Sequence, residues 1–270
     1  MFRGIFLRFP EGKKKALTFS YDDGGVGDKR LIDIFNEYNL KGTFNLNTYK
    51  DEYKKAEAYK CYEGHEVAVH TENHPILPNC PDTTKLYEIF KCRETLEALT
   101  GKITRGMAYP FGPDFSKSCS DALRTAGIAY SRSTSPTYKF SIPNDWYDWH
   151  PTCHHNDSKL LELAEEFLTY DDNANAFSKE PLLFYVWGHT YEFNNNNNWH
   201  IMENFAKVIA NKPDVWYATN IEIYDYVEKF RRLVFSLDSK IIYNPTDATI
   251  YFNVNEKEYS IKSGETLKVE

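Results

Sequence analysis

Two short segments hold the side chains best suited to chemistry. His70-Thr-Glu-Asn-His74 places two imidazoles four residues apart, close enough on one face of a turn to share a divalent metal. Pro75 ends that turn, which suits a loop site better than a helix interior. Tyr21-Asp22-Asp23-Gly24 sets two carboxylates side by side, and a nearby cation is the natural way to keep both ionised. Each segment has a plainer reading. Histidines near a strand end are often ordinary surface residues, and Asp-Asp-Gly is a common turn. Their combination is more informative, because each follows a short β-rich run, residues 16–21 and 66–69. Parallel α/β folds gather their ligands where the carboxyl ends of such strands converge.

The elements that must position these residues alternate along the chain. Strand-like runs at 16–21, 43–46, 66–69, 107–109, 128–131, 182–187 and 215–218 are interleaved with helical patterns at 29–38, 82–99, 114–126, 158–168, 199–210 and 221–233. Gly42, Gly101 and Gly127 read as helix stops. Repeated β–α units of this size imply parallel strands with right-handed crossovers, in a barrel or an open doubly wound sheet. Residues 194–198 read as a polar loop. After residue 233 the pattern becomes short strands at 241–243, 249–254, 259–262 and 266–269, separated by turns such as Asn255-Glu256. This divides the chain into a main domain, 1–233, and a small antiparallel β appendage, 234–270, packed on it.

The 270-residue chain is 41% hydrophobic, 26% charged and 16% aromatic, with a formal net charge of -7. That charge and the absence of a dense basic stripe argue against nucleic acid as a partner. No run approaches the roughly 20 apolar residues of a membrane helix, so no membrane partner is expected. Five cysteines without CxxC spacing, and an N-terminus without a long apolar core, fit a reducing, cytoplasmic location.

The segments LTFSYDDG, GTFNLN, GHEVAVHTENH, AYPFG and WGHT occur in an order that resembles the polysaccharide deacetylases of the NodB-homology type, over about residues 15 to 230. The resemblance implies a distorted (β/α) barrel. It also implies a hydrolase that removes an acyl group, most simply acetyl, from an N-acylated amino sugar or an oligo- or polysaccharide. By motif, Asp23, His70 and His74 match the metal ligands, and the cofactor implied is a divalent metal: zinc, with cobalt, manganese or nickel as alternatives. Asp22 matches the catalytic base and His189 the catalytic histidine. Tyr109-Pro110-Phe111-Gly112 matches the motif whose backbone helps to hold the oxyanion.

The chain departs from the family pattern in several places, and the first motif has Ser20-Tyr21 where the usual form is more compact, though both aspartates are kept. The third motif normally carries an arginine that steers the base, and alignment on Pro110 puts Ala108 there, with Arg105 three residues upstream. Asp148-Trp149 is a short match to the family's tryptophan-bearing motif. Trp149 or Trp187 is expected to wall the acyl pocket, Trp146 and Trp149 to stack on sugar, and His150, His154 or His155 to touch substrate. Asp148 or Glu192 is expected to pair with an imidazole at the mouth. His65 and Glu66 precede the metal motif, but HEVAVH lacks the HExxH spacing, so both read as structural. Two rival functions remain open: an amidohydrolase acting on a small non-sugar amide, and a carbohydrate-binding protein with a decayed site.

Overall fold

The computed structural model describes residues 4–50, 55–112, 116–170, 179–255 and 257–270. Asp114 and Glu256, placed above in a helix and a turn, lie outside the described residues. The strands are β1 (Ile5–Arg8), β2 (Lys15–Asp22), β3 (Gly42–Leu46), β4 (Glu66–Val69), β5 (Gly106–Ala108), β6 (Tyr130–Arg132), β7 (Cys153–His154), β8 (Leu182–His189), β9 (Val215–Tyr217), β10 (Val234–Phe235), β11 (Ile241–Tyr243), β12 (Ile250–Val254), β13 (Lys257–Ile261) and β14 (Thr266–Lys268). The helices are α1 (Asp28–Glu37), α2 (Asp82–Thr100), α3 (Lys117–Thr125), α4 (Leu160–Thr169), α5 (Thr190–Asn195), α6 (His200–Ile209) and α7 (Asn220–Arg231).

Seven parallel strands curl in the order β6-β5-β4-β3-β2-β8-β7, and β9 adds to the lower part of β2. The sheet is a distorted (β/α) barrel. The two edge strands approach each other through Trp149, whose backbone pairs with Ser131 of β6 and with Ser133 just beyond it, while Thr152 pairs with Tyr185 of β8. Every residue of β2 is buried, which is why KALTFSYD reads as a continuous run rather than an alternation. Helices cover the outside with apolar faces, such as Leu31, Ile32, Ile34 and Phe35 of α1.

Two helix ends differ in their chemistry. Gly101 closes α2 in the left-handed conformation, as its place in the sequence suggests. Gly42 instead opens β3, and a Cβ there would lie 2.7 Å from the Phe35 ring, so this glycine serves close helix–strand packing. The left-handed residue just after α1 is Asn39.

The C-terminal segment forms two three-stranded antiparallel sheets, β1-β12-β13 and β10-β11-β14. The first borrows β1 from the N-terminus, with Ile5 opposite Val254 and Arg8 opposite Tyr251. Its apolar side, including Leu7, Phe252 and Ile261, packs in one cluster with Ile223 and Val227 of α7. Residues 5–8 therefore belong with this sheet, although the sequence places them in the main domain.

Candidate metal centre

The parallel register delivers the functional residues to one mouth. Asp22, the last residue of β2, lies level with Asn45 of β3 and His189 of β8. His70 follows directly on β4, which is in register with β3. Asp23 then takes a left-handed backbone, φ 71°, a conformation that Asp tolerates better than most residues.

The 70–74 segment is a bend and not a helical turn. Thr71 and His74 both have positive φ, and the His74 N–H donates to Thr71 Oγ1 at 3.0 Å. The two imidazoles still meet, with 3.1 Å between their Nε2 atoms. Asp23 Oδ1 lies 3.6 Å from His70 Nε2 and 3.3 Å from His74 Nε2. Tetrahedral bonds of about 2.1 Å set ligand atoms roughly 3.4 Å apart, so this donor set fits one zinc-like ion.

The surroundings of the ligands agree with that fit. His70 Nδ1 lies 2.8 Å from the Ala108 carbonyl, an acceptor that leaves the Nε2 lone pair facing Asp23. Burial pushes His70 down to about 4, prevailing over the nearby Asp22 and Asp23 charges, so the imidazole is neutral as a metal requires. Asn47 donates to Asp23 Oδ1 at 2.9 Å and holds that carboxylate in place.

Beside the triad, Asp22 is buried and its Oδ1 accepts from Asn45 at 2.9 Å. Its Oδ2 contacts the Arg132 guanidinium. Burial alone would raise the Asp22 carboxyl, but its charged surroundings, the Arg132 guanidinium foremost, outweigh it and hold the group below its usual range. Arg132 brings to Asp22 a guanidinium of the kind the sequence lacks at Ala108. It stands directly opposite Ala108 on the neighbouring strand and packs its guanidinium 4.5 Å from the Trp187 ring centroid. Arg105 is not a substitute, because it is committed to Asp225 of α7 at 2.5 and 3.0 Å. The signal that would have found Arg132 is the one used for Asp22 and His70: it ends a parallel strand.

His189 lies across from the triad, with Nε2 3.9 Å from Asp23 Oδ2 and Nδ1 3.5 Å from Glu192 Oε1. Burial lowers its pKa, but the Glu192 carboxylate beside it and the Asp22 and Asp23 charges outweigh that, with a net upward shift. Of the two carboxylates offered for pairing with an imidazole at the mouth, Glu192 faces His189, while Asp148 lies 3.1 Å from His150.

The aromatic residues divide. Phe111 is exposed at the rim in a left-handed backbone, with its ring 4.5 Å from that of His74. Trp187 is half-buried beside His189. Trp149 does not reach the cleft: it is buried among Tyr130, Trp146 and Tyr185, where its large apolar ring fills the second core. Trp146 is buried too and donates to Glu228 at 2.7 Å, so neither ring is free to stack on a sugar. The Tyr109 side chain also points inward, and its hydroxyl donates to the Tyr147 carbonyl at 2.9 Å. At the opposite end of the barrel, His65 receives the Gly42 N–H and Glu66 receives the Tyr130 and Thr43 hydroxyls, the structural roles expected of them.

The parallel barrel thus gathers one carboxylate and two imidazoles at its C-terminal mouth. Residues 10–131, which carry Asp22, Asp23, His70, His74 and Phe111, match the family model described as polysaccharide deacetylase. That segment, rather than the whole chain, carries the similarity to the polysaccharide deacetylases. No curated protein matches the chain. Among solved structures it is similar to a putative polysaccharide deacetylase from Mycobacterium smegmatis, at 20% identity and a TM-score of 0.61, covering 83% of this chain and 94% of that one. A family 4 carbohydrate esterase from Streptomyces lividans, in complex with acetate, matches at 11% identity and a TM-score of 0.50 over 73% and 87% of the two chains. A family 4 pseudoenzyme from Bacillus anthracis matches at 15% identity and 0.52 over 82% and 68%. At these identities the likeness is one of fold. Among the described residues, no helix is long and apolar enough to cross a membrane.

Proposed function

We propose that this chain is a metal-dependent deacetylase of N-acetylated amino sugars in an oligo- or polysaccharide. The observation that carries the proposal is the convergence of Asp23, His70 and His74, whose donor atoms all lie within 4.8 Å of one another, beside an ionised and buried Asp22. A divalent ion held there supplies Lewis acidity, acidifying a water and polarising the acyl carbonyl.

The chain's own residues provide the rest. Asp22 takes the proton of the attacking water as general base, and Arg132 with Asn45 fixes its orientation. The Phe111 backbone N–H donates to the oxyanion as charge develops. His189 donates a proton from Nε2 to the leaving nitrogen, its Nδ1 turned toward Glu192. Trp187 and the exposed Phe111 ring shield the acyl group from water.

The missing motif arginine favours a small-amide hydrolase, and the Arg132 guanidinium at Asp22 supports the sugar reading instead. A binding protein with a decayed site would be expected to lack a ligand, the base or the acid, and here all five side chains face one mouth. The test pairs metal analysis of the purified protein with acetate release from N-acetylated chitooligosaccharides and peptidoglycan fragments. One equivalent of metal and stoichiometric acetate are expected. Acetate from neither substrate, with metal bound, would refute the sugar assignment.

A further inference from the structure

A second cluster of potential metal donors lies behind His189. His154 ends β7, His155 follows it, and Glu192 sits in the first turn of α5; their donor atoms lie within 4.8 Å of one another. Glu192 Oε2 is 3.1 Å from His154 Nε2, 3.3 Å from His155 Nε2, and accepts the His189 backbone N–H at 3.1 Å. The place is built around the buried imidazole of His155. Its ring is stacked between Phe193, 4.0 Å away, and Tyr21, 5.6 Å away, and a Cβ on Gly188 would overlap it.

Proton placement separates a metal site from a hydrogen-bonded one. A metal-binding imidazole usually donates its other N–H to an acceptor, as His70 does to Ala108. His154 does the reverse: its Nδ1 accepts the Asn156 N–H at 3.1 Å, so in the neutral ring the proton sits on Nε2 and faces Glu192. Both ring nitrogens of the buried His155 lack a hydrogen-bond partner among the described residues; Nδ1 lies against Gly188, and Nε2 is the one that faces a carboxylate, 3.3 Å from Glu192 Oε2. Burial pushes His155 down to about 3, in keeping with a neutral donor.

We propose that His154 and His155 are positioning residues that clamp the Glu192 carboxylate, which in turn holds the His189 ring with Nε2 toward the metal triad. The inference rests on the proposed deacetylase chemistry for its consequence but not for its geometry. Two imidazole nitrogens, at 3.1 and 3.3 Å, and one backbone N–H converge on a single carboxylate oxygen, and the other oxygen faces His189 Nδ1 at 3.5 Å. The clamp serves the step in which a proton leaves His189 for the departing nitrogen as the C–N bond breaks. A departing phenolate does not need that proton.

The test compares triacetylchitotriose with 4-nitrophenyl acetate as substrates of the zinc-loaded enzyme. In His154→Ala and Glu192→Gln the ratio of amide to ester kcat is expected to fall roughly 10- to 100-fold, with KM for the amide nearly unchanged. Equal losses on both substrates, or no loss on the amide, would overturn the clamp. A wild-type enzyme that cleaves the ester but never the amide would instead sink the deacetylase reading. Long-range 15N NMR of the imidazoles decides the geometry without turnover. His154 and His155 are expected as Nε2–H tautomers that one equivalent of zinc leaves in place while His70 and His74 shift. A second zinc equivalent binding through His154 and His155, or an Nδ1–H tautomer in either, would make the cluster a metal site and overturn the proposal.

Discussion

Arg132 and Asp22 form a buried ion pair across the barrel mouth, both nearly inaccessible to solvent and 110 residues apart in sequence. The pair accounts for how a carboxylate stays charged inside a protein. Without the guanidinium, the burial that raises Asp22 would be opposed by the imidazoles alone.

Arg132→Met is expected to leave Asp22 buried without its partner and to cost about 3–5 kcal/mol in chemical denaturation. Adding Asp22→Asn to that variant should restore part of the loss, because a neutral amide needs no counter-charge. Strictly additive losses in the double variant would show that the two groups are not coupled.

Asp22→Asn alone should keep metal binding and lower acetate release by about two orders of magnitude, as loss of a general base does. The metal content of the variant, measured beside its turnover, separates the base from the ligands. An unchanged rate would move the proton-accepting role to another group.

Gly188→Ala should destabilise the protein by about 1–3 kcal/mol, since the added methyl meets the His155 ring held between Phe193 and Tyr21. Thermal unfolding checks this, and a Tm equal to that of the wild type would contradict the packing described.

Glu66 gives a pH dependence remote from the metal site. Burial pushes its carboxyl up to about 7, against the lowering effect of the Ile221 N–H and the Tyr130 and Thr43 hydroxyls. The folded state therefore holds a proton that the unfolded chain releases near its ordinary value. The contribution of Glu66 to stability is full below about pH 4.5 and is lost as pH rises to about 7, a difference of about 3 kcal/mol. Glu66→Gln should show a flatter dependence of stability over that window than the wild type. Parallel curves would contradict the raised value.

Most of the parallel strands were legible in the sequence because they are short apolar runs bounded by turn residues, and the site followed from the rule that strand ends carry function. Three features were hidden for physical reasons. The two-residue β7 is too short to show a period, so His154 and His155 looked like cleft residues rather than supports of Glu192. Helix α5 is hidden because its last two residues, Asn194 and Asn195, belong to the polar run 194–198, which masks a turn held by Glu192 at the His189 N–H. Trp149 looked like a sugar platform, but a lone aromatic near a motif does not reveal which face of the sheet it joins.

The central claim is that Asp23, His70 and His74 together hold the metal on which turnover depends. The most direct measurement is zinc titration by calorimetry of the wild type and of His70→Ala, His74→Ala and Asp23→Ala, each followed by assay of acetate release from triacetylchitotriose. The account predicts one site per chain in the wild type, and in each variant binding weakened by at least about 10-fold with turnover falling in step. Undiminished zinc affinity in all three variants would place the ion elsewhere and contradict the account.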